Sequence, residues 1–424
     1  MLLGFSLFVI LLLLIGMPVA FTLSLAGIAG IIGFIDMSTL SQIPVIAYKT
    51  LDSFVLASVP LYILMSQIML TGQVGSGLFE LGSKWMGHLP GGLGIATIFA
   101  CAIFAAISGS SVATAVTIGA MAIPEMLKRG YDRKLVLGSV AAGGTLGILI
   151  PPSIPMILYG SITDESVGRL FMSGVVPGAL LTVLFIAYIV YASWDKPREA
   201  KATHAEKMKA LKENIWGIFL PVIIIGGIYT GIFTPTEAAA VGTVYSIFIT
   251  FFVYRTVSLV DMPAIMRSTI KTSCMIFAIM IGAMLFGYIL TVLQIPQALM
   301  ELVTKSEVNR WMVMIGINIV LLILGCILET VSIILITLPM LYPIIKALGF
   351  DPIWFNVIML INMELALITP PVGMNLFVIK GISSDSTIQE IIAGAAPFAA
   401  IMVVEMVLIS LFPSIATFLP SIIN

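Results

Sequence analysis

Apolar runs of about 18 or more residues recur from one end of this chain to the other, and two of them are interrupted in the same way. As a helix, a run of that length covers a hydrocarbon core of ~30 Å. At that depth every backbone amide and carbonyl needs a partner inside the protein, so the elements are helices or irregular backbone enclosed by helices. The alternating segments of a transmembrane barrel, about ten residues each, do not occur in the sequence. Hydrophobic residues make up 60% and charged residues 10% of the chain, with a mean hydropathy of +1.15. Soluble domains carry about 25% charge. The fold class is therefore an all-α polytopic membrane protein set in the lipid bilayer. A net charge of −1 gives no footprint for nucleic acid.

The two interruptions belong to a duplicated pattern. The first copy reads Ser108-Gly109-Ser110-Ser111, Pro124, Gly130, Asp132 and Pro151-Pro152; the second reads Leu328-Glu329-Thr330, Pro343, Gly349, Asp351 and Pro370-Pro371. One offset of 219 relates Ser111 to Thr330, Pro124 to Pro343, Gly130 to Gly349, Asp132 to Asp351, and both prolines of each pair. Paired broken segments in corresponding halves point to the binding site of a secondary transporter.

The chain divides accordingly. Residues 1–90 hold scaffold helices and an interfacial arm, and residues 91–192 hold the first repeat. Residues 193–214 form a polar linker, residues 215–310 the second scaffold and arm, and residues 311–424 the second repeat. Residues 1–35, with Gly16 and Pro18 inside them, exceed one crossing and form one broken helix or two short ones. In the second half the pattern predicts an amphipathic stretch near 258–271 and a separate crossing over 272–294. The turn Lys128 to Lys134 has four basic residues and one acid, and the stretch 194–214 has six basic residues, which places both on the cytoplasmic side. The matching turn of the second copy has only Lys346 and Asp351, so the repeat is expected to be inverted.

Residues 92–128 form two arms of about 16 residues around Ser108–Ser111, short for a crossing of ~20. A re-entrant hairpin with a polar tip is expected, with a plain small-residue packing helix as its rival. In Ala141 to Gly160, prolines 151, 152 and 155 remove backbone donors, and Gly143, Gly144 and Gly147 permit unwinding and close approach. Free carbonyls are thus expected around residues 144–151, which with the hydroxyls of Ser110, Ser111 and Thr145 suit a monovalent cation. The second copy places Glu329 and Thr330 at a tip and Thr369, Pro370, Pro371 and Gly373 at a break. Glu329 is open to three roles: cation ligand, proton acceptor or cap of free amides. Glu364 is a similar intramembrane acid nearer the break. Asp132 and Asp351 follow glycine and read as helix N-caps.

At these motifs the chain resembles the large membrane subunit (DctM type, called SiaM in sialic-acid systems) of tripartite ATP-independent periplasmic transporters. The resemblance is carried by GMPVAF at 16–21, AAISGSSVAT at 105–114, AAGGTLGILIPPSIPM at 141–156, TPTEAAAVG at 234–242 and ITPPVGMNLFV at 368–378; Ala366 stands where the family usually has glycine. It implies an elevator-type carrier of the ion-transporter-superfamily kind, multi-pass in the bacterial inner membrane. A small four-helix membrane subunit (DctQ or SiaQ type) and a periplasmic substrate-binding protein (DctP or SiaP type) would be its partners. Organic acids such as sialic acid or C4-dicarboxylates would be its substrates, with Na⁺ as coupling ion and no other cofactor. By position, one Na⁺ site falls on Ser108, Ser110, Ser111, Gly144, Gly147 and Pro151, and a second on Glu329, Thr330, Thr369, Pro370 and Gly373. Substrate is expected on Gly109, Ser110, Thr114, Thr145, Pro152, Met374 and Asn375.

A proton-coupled carrier of the same class is the alternative. An intramembrane enzyme is disfavoured because no His or Lys stands beside the serines to act as base, and a channel would need no soluble partner.

Overall fold

A computed structural model describes residues 8–9, 11–13, 15–194, 198, 200–305 and 308–422. Among them there are helices and no strand, and eight helices are long and apolar enough to cross a membrane. The N-terminal apolar run is split at Gly16, whose φ is +84°, and at Pro18. Helical segments lie on both sides, and residues 1–7 fall outside the described ones. Helix α1 (Val19–Phe34) follows, then α2 (Gln42–Leu51), which the hydropathy pattern had not separated, then α3 (Ser58–Thr71) and the arm α4 (Val74–Met86).

The first repeat contains α5 (Gly92–Ser108), α6 (Ser111–Lys128), α7 (Arg133–Leu149), α8 (Ile154–Thr163) and α9 (Val167–Ala192). The second half repeats the order: α10 (His204–Tyr229), α11 (Pro235–Phe248), α12 (Met262–Val292) and the arm α13 (Ile295–Lys305). Then come α14 (Arg310–Gly325), α15 (Thr330–Ala347), α16 (Pro352–Leu367), α17 (Met374–Ile382), α18 (Ile388–Leu411) and α19 (Ser414–Ile422).

Local chemistry starts and stops these helices in matching places. Asp132 accepts from the Leu135 amide at the start of α7, and Asp351 accepts from the Ile353 and Trp354 amides at the start of α16. Both act as the N-caps expected. Gly130 and Gly349 end α6 and α15 with φ of +78° and +74°. In each case the next amide reaches back five residues, Tyr131 to Met126 and Phe350 to Ile345. That is a Schellman stop, which favours glycine because the left-handed region carries a Cβ penalty. Thr203–Glu206, Thr234–Glu237 and Thr387–Glu390 form capping boxes at α10, α11 and α18.

Two expectations are corrected. Residues 258–271 and 272–294 are not separate elements: α12 is one helix of 31 residues, about 46 Å at 1.5 Å per residue. Helix α10 starts at His204 inside the polar linker, because the Thr203 capping box nucleates it there. Of that linker, residues 195–197 and 199 lie outside the described ones.

The two broken segments form the core. Helix α7 is buried from Val136 to Leu149 and α16 from Ile353 to Leu367, and the two pack together. Packing around them is reciprocal: α6 meets α17 of the other repeat, and α15 meets α8. Outside the core α1 packs on α12, and α11 packs on α3 in the same exchange.

Candidate functional site

The first tip is built by three small residues. Gly109 ends α5 with φ +58°, and Ser110 is extended and caps α6 by accepting from the Ala113 amide at 3.4 Å. Ser108 Oγ lies 2.9 Å from Thr114 Oγ1, which donates to the Ser110 carbonyl at 2.8 Å. Ser108 and Thr114 are thereby occupied in holding the tip shape. The tip rests on the break: a Cβ on Gly109 would lie 2.8 Å from the Pro152 carbonyl oxygen.

The break itself falls later than the glycines suggested. Helix α7 runs unbroken to Leu149, Ile150 is extended (ψ 121°), Pro151-Pro152 is cis, and α8 begins at Ile154. The cause is the steric rule for the residue before proline, which pushes Ile150 out of the helical region. Gly144 and Gly147 are helical and serve close approach. A Cβ on Gly147 would lie 2.6 Å from the Ser110 carbonyl carbon, and one on Gly144 would lie 2.8 Å from Ala115 Cβ. The unwound carbonyls expected from residue 144 onward are therefore confined to the end of α7. There Pro151 and Pro152 lack the amides that would have bonded the Gly147 and Ile148 carbonyls.

The second copy has the same plan with different chemistry. Helix α14 ends at Gly325, and residues 326–328 turn into α15. Glu329 is extended, makes no side-chain capping bond and is exposed at the tip, so amide capping is not its role in this conformation. The break contains cis Pro370-Pro371, and Gly373 (φ +59°) opens α17. Tip and break are bonded here: the Gly373 amide donates to the Cys326 carbonyl at 3.4 Å, and Cys326 Sγ lies 3.5 Å from the Pro370 carbonyl. Thr369 Oγ1 donates to the Leu365 carbonyl at 2.6 Å.

Both tips open on one cavity of about 380 Å³, lined by Ser108–Ser111, Glu329–Val331, Ile154, Pro155 and Met374, with Ser66 and Gln67 of α3 and Thr272 of α12 opposite. Among the described residues no lysine or arginine lines it. Helices α6, α8, α15 and α17 all begin at or beside this space, and helix N-termini present free amides and a positive dipole end.

Several expected residues lie off the cavity. Thr145 is fully buried on α7, with its hydroxyl toward the Ala142 carbonyl and the Met402 sulfur. Thr114 and Pro152 lie behind the first tip. Asn375 is buried and donates to Ser111 Oγ at 2.9 Å. Glu364, which sequence reasoning left out of the ion sites, reaches the same atom: Ser111 Oγ donates to its Oε2 at 3.1 Å across 253 residues of sequence. An acid five residues before Thr369 in an apolar helix was the signal available for it.

With this geometry in hand, comparison with known proteins is decisive for kinship. The family model described as the DctM component of the tripartite ATP-independent periplasmic transporter matches residues 6–415. The chain belongs to that family. It is 42% identical over 376 residues to a C4-dicarboxylate TRAP transporter large permease protein, DctM, of Pseudomonas aeruginosa, covering 88% of each chain. It is 35% identical to an ectoine TRAP transporter large permease protein of Halomonas elongata, covering 96% of each. With a sialic acid TRAP transporter large permease protein of Vibrio cholerae it shares 32% identity, over 97% of this chain and 96% of the relative. These relatives are transport subunits, not enzymes. In fold the chain is similar to the YdaH transporter of Alcanivorax borkumensis, with a TM-score of 0.58 at 15% identity over 91% of this chain and 89% of that one.

Proposed function

We propose that this chain is the large membrane subunit of a Na⁺-coupled importer of a small organic acid. The observation that carries the reading is the convergence of four helix N-termini on one cavity with no basic side chain. An anionic carboxylate there would be held by free amides, serine hydroxyls and aligned dipoles. A volume of about 380 Å³ lies within the usual range of roughly 300–1,000 Å³ for ligand pockets and admits a small organic acid.

The residues present fit a hard monovalent cation at each tip-and-break pair. The first offers Ser110, Ser111 and the final carbonyls of α7; the second offers Glu329 and the residue 369–373 turn. Bound Na⁺ would supply positive charge beside the carboxylate, and the protein's own part is to hold both tips in register and exclude water. The short arms α5, α6, α14 and α15 are read as re-entrant hairpins that move with α7 and α16 against the α1, α3, α11 and α12 scaffold. The membrane is the bacterial inner membrane. A small DctQ-type membrane subunit and a periplasmic binding protein are the proposed partners. Support for the small subunit comes from a relative named as an isethionate TRAP transporter permease protein DctMQ, of which this chain matches 64%.

The test is uptake of labelled C4-dicarboxylate into proteoliposomes holding the chain, its small subunit and the binding protein. Uptake is expected to need both the binding protein and an inward Na⁺ gradient. Unchanged uptake with choline in place of Na⁺ at fixed pH would refute the coupling.

A further inference from the structure

Three buried polar groups meet where the two repeats touch. Ser111, at the first tip, gives its hydroxyl proton to Glu364 Oε2 at 3.1 Å and receives the Asn375 amide at 2.9 Å. Asn375 also donates to the Ala141 carbonyl at 3.3 Å. Glu364 and Asn375 come from the second repeat and are 0% exposed. The amide of Ile148 also lies near the carboxyl, and no basic side chain acts on it. Nevertheless Glu364 Oε1 and Asn375 Oδ1 each lack a hydrogen-bond partner. Each of these oxygens lies one functional-group width from an atom bonded to Ser111 Oγ, so the bare acceptors belong to one small cluster.

Buried charges are paired or coordinate metals, and an intramembrane acid without a partner marks a functional position. Two bare oxygens beside a hydroxyl oxygen are all hard ligands, a set suited to a small cation. Among the described residues no positively charged side chain acts there to supply it. We infer that Glu364, Asn375 and Ser111 form a monovalent-cation site shared by the two repeats, lying behind the cavity. It differs from the tip-and-break sites in taking a formal charge and an amide oxygen from the opposite repeat. Its occupant would tie the first tip to α16 and α17, so that the first ion site and the second break are linked by one ion. The inference rests on the reading of the chain as a cation-coupled carrier.

The test is radiosodium binding, with thermal stability against NaCl at constant ionic strength, on the chain and its small subunit in nanodiscs. Glu364→Gln keeps the shape and removes the charge. It is expected to bind one Na⁺ fewer, or to weaken one Na⁺ by at least ~10-fold, and to lose the matching part of the Na⁺-induced rise in melting temperature. Asn375→Ala should do the same, and Glu364→Asp should lie between; Asn375→Ala carries the test if Glu364→Gln does not assemble. Wild-type Na⁺ number and affinity in both variants, with Na⁺ still bound by the parent protein, would overturn this site alone. A variant that changed only the pH response would mean the occupant is a proton and would overturn it too. Failure of the parent protein to bind any Na⁺ would remove the coupling reading beneath it.

Discussion

Replacing Gly147 by alanine puts one methyl group between the first tip and the helix it rests on. The added Cβ would lie 2.6 Å from the Ser110 carbonyl carbon and 2.7 Å from the Ser111 amide nitrogen. Carbon atoms prefer about 3.5 Å or more, so the tip or α7 must yield by roughly 0.9 Å. Both obstacles are backbone, and Gly147 lies in a helix buried on every side, so no rotamer change relieves the clash. Overpacking of this kind costs about 1–3 kcal/mol, a factor of roughly 5–150 in any equilibrium that needs the tip seated. Uptake in proteoliposomes should fall by at least ~5-fold and the Na⁺ requirement should rise. The control is Gly226→Ala, where nothing lies within 4 Å and helix propensity should add about 0.5–1 kcal/mol of stability. Wild-type uptake and Na⁺ dependence in Gly147→Ala would refute the claim that glycine serves close approach there.

Glu329→Gln should lower the apparent Na⁺ affinity of uptake by ~10-fold or more while Ser110→Ala lowers it less, since only the former removes a formal charge; equal Na⁺ titrations would show the two tips to be electrostatically alike. Thr114→Val breaks the bonds to Ser108 and Ser110 and should cost about 1–3 kcal/mol through an unsatisfied buried group, read as a lower melting temperature with weakened Na⁺ protection. Asp351→Ala should cost ~1 kcal/mol by uncapping α16, seen as a melting-temperature loss with the uptake KM unchanged. Lys84→Ala should leave stability within about 1 kcal/mol, because its 3.6 Å pair with Glu206 is solvent-exposed.

Much of this was legible in the residues, because the informative signals were local. Ser-Gly-Ser-Ser and the Pro-Pro pairs act on their own backbone, and Asp132 and Asp351 cap helices a few residues away. The glycines of α7 were only half legible: they allow both unwinding and close approach, and only the close approach occurs. A glycine that permits unwinding and one that permits contact look alike until the neighbour is known, and here the neighbour is Ser110, 37 positions earlier. Glu364 stood out as a buried acid, but its partner Ser111 comes from the other repeat, and no periodicity within a helix encodes that pairing. The length of α12 was missed because residues 258–271 read as an amphipathic stretch of their own, whereas Arg267 and Lys271 within it are exposed on a continuous helix.

The exchange of partners between the repeats also bears on how the protein is made. At about 5–20 residues per second of synthesis, the 253 residues separating Ser111 from Glu364 take roughly 13–50 s to follow. For that time the first tip is in or near the bilayer without α16 or α17, and its serine hydroxyls must be covered by something else: water, lipid headgroups or an insertion chaperone. Neither half completes its own interior, so a gene cut at the linker would yield two fragments that depend on each other from the moment of insertion.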